Sequence, residues 1–439
     1  MRVVFAGITG IGKEEAARTV ACLAASARGL RPDLSDKYTK RFIQVLSVED
    51  EIKATYDDLR PFLDQVSNTE RTHIWREAMQ RVVQQASQSE HSILCFHNTY
   101  YRRSNFFTCT DWDLLATYRP TVFVTLINDV YDIWETVNAR ERVHRSLSYF
   151  HLPEILAWRS VEIAATEALA ANIYCKASHH GIAPTDLEKI LGVCPAAGSV
   201  FGKEIPHFVF SVKHPAKTLF QLLFHRYKMP VYASFPITKT RNLNEGRAEI
   251  DSYRETLFRS DFLTVIDPLT IDELRLEETP VKGKDSLRPR WPLTFGPPMV
   301  GEVPLTENPF QGYDALQYHS LRDSIGRHVE ERDYRLVAQT YCLAAYRPFY
   351  GGPLGGGARP SDSPSGGVDK EIMHALQEKK HIYAVHPNED RVGSLKVFSS
   401  MDFAVQPSDV AGLLSELEKS ANLRSENLKK KGITETWEF

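Results

Sequence analysis

Short, continuously apolar runs alternate with stretches of helical spacing along most of the chain. Arg2–Ala6, Arg41–Leu46, Ser92–Phe96 and Thr121–Ile127 read as strands. Runs that are apolar throughout mark strands covered on both faces, as in a parallel sheet. Glu14–Ala27 reads as the helix after the first strand. Behind the capping residues Ser67, Asn68 and Thr69, the positions Ile74, Ala78, Val82 and Ala86, with Met79 and Val83 beside them, share one face at helical spacing. Helices over Tyr131–Val143 and Ile155–Ala171 complete a series that predicts an α/β domain across residues 1–195.

A second strand–helix series begins near residue 205. Its predicted strands are His207–Ser211, Pro230–Phe235, Phe262–Ile266, Cys342–Tyr346 and Ile382–Val385. Its predicted helices are Thr218–Tyr227, Ala248–Arg259, Asp323–Gln339 and Asp369–Lys379. Residues 277–315 are proline-rich and without period, the mark of a functional loop or a partly disordered insertion. Gly351–Gly367 has the composition of a loop. The second domain therefore spans residues 205–405, and residues 406–439 form a tail with a helix from Ser408 and a charged end.

Bulk properties narrow the function. The 439 residues are enough for about two or three domains with real cores. At 42% hydrophobic and 25% charged residues the chain has the profile of a soluble globular protein. A net charge of −3 gives no basic surface for nucleic acid or anionic membrane. Six scattered cysteines (Cys22, Cys95, Cys109, Cys175, Cys194 and Cys342), none in a CxxC, fit buried thiols in a reducing compartment and argue against structural zinc. No apolar run is long enough to span a membrane, and the N-terminus enters a strand directly, so a cytoplasmic location is expected.

The chemistry begins at Gly7-Ile8-Thr9-Gly10-Ile11-Gly12-Lys13-Glu14, a P-loop in every position but the last. The spacing lets backbone N–H groups wrap a phosphate while Lys13 reaches the outer phosphates. Glu14 takes the place of the Ser or Thr whose hydroxyl would bind magnesium. Nucleotide binding is thus better founded here than phosphoryl transfer, and a ligand-free glycine turn is the plain structural alternative. The order of elements resembles the nucleoside monophosphate kinases, in particular the adenylate-kinase-like branch, over roughly residues 1–190. Besides the P-loop, it rests on SILCFHNTYYRR, TVFVTLINDVYDIWETV, ARERVHR and PEILAWRSVEIAATEALA. It implies a parallel-sheet P-loop domain holding ATP or another nucleoside triphosphate, with Mg2+ as its companion ion. It also implies His97 and Arg102 near a second nucleotide, and Arg140, Arg142 and Arg145 as a lid that spreads transition-state charge. The pattern departs from that family in having no acidic residue after the third strand, with Asp129 after the fourth as a poor substitute.

In the second half three pieces belong together: Tyr232-Ala233-Ser234 at the end of a strand, Arg332-Asp333 in the helix before the strand at 342, and Ser365-Gly366-Gly367-Val368-Asp369-Lys370-Glu371 opening the next helix. This arrangement, with EIMHA and the following KKHIYAV, resembles the nucleoside 2-deoxyribosyltransferases and their N-glycosidase relatives over about residues 205–400. The resemblance implies a Rossmann-like, flavodoxin-like domain and a homo-oligomer. Cleaving an N-glycosidic bond develops positive charge at the sugar carbon, which a carboxylate can stabilise or bond. Glu371 is the candidate nucleophile, Asp333 its assistant, and Tyr232 a positioning group. Ser234, Ser365, Gly366 and Gly367 are candidates to hold sugar or phosphate. Each residue has an ordinary structural alternative; a Glu in a first helical turn is stabilising by the dipole alone.

Together these readings describe a two-domain nucleotide-processing enzyme. Its C-terminal half would cleave or transfer the N-glycosidic bond of a nucleoside, nucleotide or NAD-like substrate, and its N-terminal half would phosphorylate or regulate. Such glycosidase-like domains also resemble effectors of bacterial antiviral systems, which implies a role as an antiviral-defence effector. The alternatives are a nucleotide kinase with a C-terminal nucleotide-sensing module, and a non-enzymatic P-loop assembly switch. No metal site and no nucleic-acid surface are read from the sequence.

Overall fold

A computed structural model describes residues 1–56, 59, 61–102, 104–143, 150–179, 205–237, 244–271, 273, 315–346, 366–385, 404–405, 407 and 409–430. Ser365, the insertion 277–314, the loop 351–365, and the side chains of Arg140, Arg142 and Arg145 lie outside those residues.

The first half contains strands β1 (Arg2–Ala6), β2 (Ile43–Ser47), β3 (His91–Cys95), the hairpin β4 (Tyr100–Arg102) and β5 (Asn105–Phe107), β6 (Val122–Ile127) and β7 (His207–Ser211). Its helices are α1 (Lys13–Ala27), α2 (Lys37–Phe42), α3 (Val48–Tyr56), α4 (Asn68–Ala86), α5 (Trp112–Tyr118), α6 (Val130–Val143) and α7 (Leu152–His179). The second half contains α8 (Ala216–Phe224), β8 (Met229–Ser234), α9 (Asn244–Arg259), β9 (Leu263–Ile266), α10 (Ala315–Ala338), β10 (Cys342–Tyr346), α11 (Gly366–Gln377), β11 (His381–Val385), β12 (Ala404–Val405) and α12 (Val410–Lys430).

The protein is α/β, with two five-stranded parallel sheets. The first has the order β2-β3-β1-β6-β7 and the second β12-β11-β10-β8-β9. β3 and β6 are buried along their whole length, as expected of strands covered on both faces, with His91, Ser92 and Thr125 among the buried positions. Helix starts are set by local chemistry. Ser67 accepts from the Glu70 N–H at α4, and Asp111 accepts from the Asp113 and Leu114 N–H groups at α5.

One grouping is corrected. His207–Ser211 does not open the second sheet; it closes the first, paired in register from Phe123↔His207 to Ile127↔Ser211. An apolar strand reports that it is covered, not which sheet it joins. The division of the chain at residue 205 therefore cuts off the first sheet's edge strand. The two halves also share a core: Val3, Phe5, Val20 and Trp134 belong to the same apolar cluster as Leu219, Phe220, Leu343 and Ile372, with α8 packed on α1. Among the described residues no helix is long and apolar enough to cross a membrane.

The P-loop is wound tightly at its first glycine. Gly7 has φ 152°, and a Cβ there would collide with Ile11 Cδ1 and lie 2.8 Å from the Leu126 carbonyl oxygen. Gly12, at φ 76°, has nothing within 4 Å of the same position. Gly7→Ala should therefore cost about 2 kcal/mol of stability or more through overpacking, and Gly12→Ala only about 1 kcal/mol through backbone strain. Urea unfolding midpoints of the two variants check the order; equal losses would contradict it.

Candidate functional site

Two centres lie at the carboxyl ends of the two sheets. In the second sheet β8 passes outward to β9, and the chain then returns to place β10 on the other side of β8. Such a reversal leaves a crevice between β8 and β10, where ligands of open α/β sheets bind. Tyr232 and Ser234 are two apart on β8, so their side chains share one face. Both reach Glu371 in the second turn of α11. The Tyr232 hydroxyl donates to Glu371 Oε1 at 2.8 Å, and the Ser234 hydroxyl donates to Oε2. All three residues are buried. Ser234 is thus a partner of the glutamate itself in this structure.

Asp333 supplies the second carboxylate. Arg332 Nε and Nη2 both donate to its Oδ1, at 3.0 and 2.8 Å. Burial raises the Asp333 pKa despite that guanidinium. Burial, and then the charge of Asp333, push Glu371 up to about 8, against the hydrogen bonds from Ser234 and Tyr232 and the charge of Arg332. Both carboxyl groups are thus shifted toward their protonated forms. Arg332 is anchored in turn by the Ile271 carbonyl at 3.0 Å and lies 3.9 Å from Glu273. Gly366 and Gly367 are exposed at the start of α11, and an added Cβ at Gly366 would meet nothing within 4 Å.

In the first sheet Gly7, Gly10 and Gly12 all have positive φ and lead into α1, whose start carries no side-chain cap. Lys13 is buried, with Nζ 3.1 Å from His97 Nε2 and 3.4 Å from the Glu14 carboxylate. His97, two residues past β3, turns its Nδ1 to Glu49 Oε1 at 2.9 Å. With its proton on Nδ1, His97 donates to this carboxylate; Lys13 Nζ lies 3.4 Å from Nδ1 as well. Arg102 is not turned to this corner: Nε and Nη2 fork onto the two Asp64 oxygens, each at 3.0 Å. Asp129 accepts from the Tyr131 N–H at 2.9 Å at the start of α6, with Lys213 Nζ 3.8 Å away.

Two acidic residues absent from the sequence reading organise this centre. Glu49 follows β2. Glu162, fully buried on α7, accepts from the Gly7 N–H at 3.0 Å, the Asn98 N–H at 2.9 Å and the Thr99 N–H at 2.7 Å, and from the Thr99 hydroxyl. It ties the P-loop to the segment carrying His97. A signal was present: Arg159, Glu162 and Thr166 interrupt the apolar stripe of α7 at helical spacing. Polar groups in a buried stripe need partners.

Among the described residues no group of three or more His, Cys, Asp or Glu side chains is placed to hold a metal ion. Scanned against protein-family models, the chain has no match, and no curated protein is significantly similar to it.

The Glu371 contacts carry a sign. Donors favour the ionised carboxylate, so removing one raises its pKa. Ser234→Ala and Tyr232→Phe should each move the Glu371 titration upward by roughly one to two units. Infrared titration of the carboxyl band, assigned with Glu371→Gln, measures it; a downward or absent shift would contradict the geometry.

Proposed function

We propose that the second sheet cleaves or transfers the N-glycosidic bond of a nucleoside, nucleotide or NAD-like substrate, and that the P-loop of the first sheet holds a nucleotide. One observation carries the reading: a buried glutamate, gripped through both oxygens by Tyr232 and Ser234, feels the charge of a second, part-buried carboxyl group where the strand order reverses. With β8 taken as its first strand, that sheet has the 2-1-3-4-5 order of flavodoxin-like folds, as the resemblance to the deoxyribosyltransferase family implies.

In the reaction, Glu371 attacks the sugar carbon as the bond to the base breaks. The base leaves with the electron pair and takes a proton from Asp333, whose raised pKa lets it retain one. The sugar is left as an ester of Glu371. Water, or the nucleophilic atom of an acceptor, then displaces Glu371 and returns a proton to Asp333. Tyr232 and Ser234 aim the carboxylate and restrain its negative charge when it leaves. Arg332 fixes the orientation of Asp333.

The first sheet fits a triphosphate. Three positive-φ glycines precede an uncapped helix start, and Lys13 stands at its first position. ATP bound there would supply a transferable phosphoryl group or an occupancy signal. Mg2+ would be carried by the triphosphate, since Glu14 offers no hydroxyl.

Glu371→Gln should abolish release of free base from a panel of nucleosides, nucleotides and NAD, a loss of roughly a thousandfold or more for a nucleophile, with ATP binding unchanged. Chromatography of the free bases checks this; base release at the wild-type rate would overturn the assignment.

A further inference from the structure

The corner between β2, β3 and the P-loop contains a buried charge with an unused valence. Glu49 is only 2% exposed. Its Oε1 accepts from the His97 N–H at 2.9 Å, from His97 Nδ1 at 2.9 Å and from the Tyr100 hydroxyl at 2.8 Å. Its Oε2 is buried and has no hydrogen-bond partner. Burial opposes its charge, yet His97 and Lys13 hold the carboxyl down to about 2, so it is ionised at neutral pH. A buried carboxylate oxygen without a donor is costly and uncommon. Glu49 is also acceptor-only, so what it lacks is an O–H or N–H donor.

The same corner holds the cation that a P-loop sends to phosphate. Lys13 Nζ lies 3.1 Å from His97 Nε2 and 3.4 Å from Nδ1. An anionic phosphoryl acceptor placed here would meet an ionised carboxylate, a repulsion of about 4 kcal/mol at 4 Å with an effective dielectric of 20. Of the described arginines, Arg102 and Arg81 are already paired with carboxylates, whereas Arg71 is held by neutral groups and keeps its charge. A neutral hydroxyl meets no such repulsion and brings the missing donor.

We propose that the first domain transfers a phosphoryl group to a neutral hydroxyl, that of a nucleoside, and that Glu49 Oε2 receives this hydroxyl. The proposal rests on the P-loop reading given above. In the step, the hydroxyl oxygen bonds to the γ-phosphorus of ATP. The bond from that phosphorus to the bridging oxygen breaks, and its electron pair leaves with ADP. The hydroxyl proton passes to the Glu49 carboxylate. Lys13, drawn from His97 onto the phosphates, opens the corner to the acceptor. Phosphoryl transfer has a loose transition state and is catalysed mostly by positioning. A carboxylate of low basicity serves it by orienting the hydroxyl and taking the proton late.

The test uses the full chain with magnesium and γ-labelled ATP. Adenosine, cytidine, guanosine, uridine and their 2-deoxy forms are offered as acceptors beside the corresponding monophosphates. Label should appear on nucleosides and not on monophosphates. Glu49→Gln should lower that transfer by roughly 10²–10⁴-fold, the range for a proton acceptor, and equilibrium dialysis on the wild-type chain measures ATP binding. Label on monophosphates in place of nucleosides overturns the proposal and leaves the P-loop reading standing, as does ATP binding without transfer to either class. Failure to bind ATP overturns both. The acceptor preference is read on the wild-type chain, so a poorly folded Glu49→Gln does not blunt the test.

Discussion

Glu273 is the interaction on which the rest of the molecule depends. Its carboxylate is buried and takes both terminal nitrogens of Arg159 on α7, at 2.6 and 3.0 Å. It also accepts from the Val130 N–H at the start of α6 at 2.8 Å and lies 3.9 Å from Arg332 on α10. Three segments from both halves therefore converge on one anion away from water. Breaking a pair of this kind leaves buried charge uncompensated, which costs about 3–5 kcal/mol. Such a contact adds little net stability, because desolvation offsets much of the attraction. The shared apolar core supplies the burial; Glu273 sets how the parts are oriented within it.

Both centres hang from this arrangement. On α7, one turn beyond Arg159, Glu162 holds Gly7 and the Asn98–Thr99 segment, and so sets Lys13 against His97. On α10, Arg332 turns from Glu273 to Asp333, the partner of Glu371. The P-loop and the glutamate centre thus belong to one polar framework. The centres differ in how their carboxylates are treated. Glu49 is kept ionised by His97 and Lys13, whereas Glu371 is pushed toward its neutral form by burial and by Asp333. The first environment keeps a carboxylate charged and able to accept a hydrogen bond, and the second pushes a carboxyl group toward its neutral form.

What the sequence disclosed follows from the range of each interaction. The P-loop was readable because its spacing, strand and helix are contiguous. Tyr232, Ser234 and Glu371 were readable because a strand end and a helix start carry local signatures, although only the structure turns Ser234 onto the glutamate. The apolar run of β7 marks a strand but not its sheet, since pairing with β6 is a tertiary choice. Arg102 reads from sequence as lying near a second nucleotide, and its fork onto Asp64, distant in sequence, is visible only in the structure. Glu49 and Glu273 sit in ordinary acidic stretches, and nothing local marks a carboxylate whose partners lie elsewhere in the chain. Only Glu162, inside a buried helical stripe, left a visible trace.

The nucleophilic role of Glu371 is tested most directly by trapping. A 2-fluorinated nucleoside slows breakdown of a glycosyl ester by destabilising positive charge at the neighbouring carbon. Incubation of the intact chain with a set of such nucleosides, followed by proteolysis and peptide mass spectrometry, should find one fluoropentosyl group on Glu371. Release of base with no adduct, or an adduct on another residue, would contradict the account.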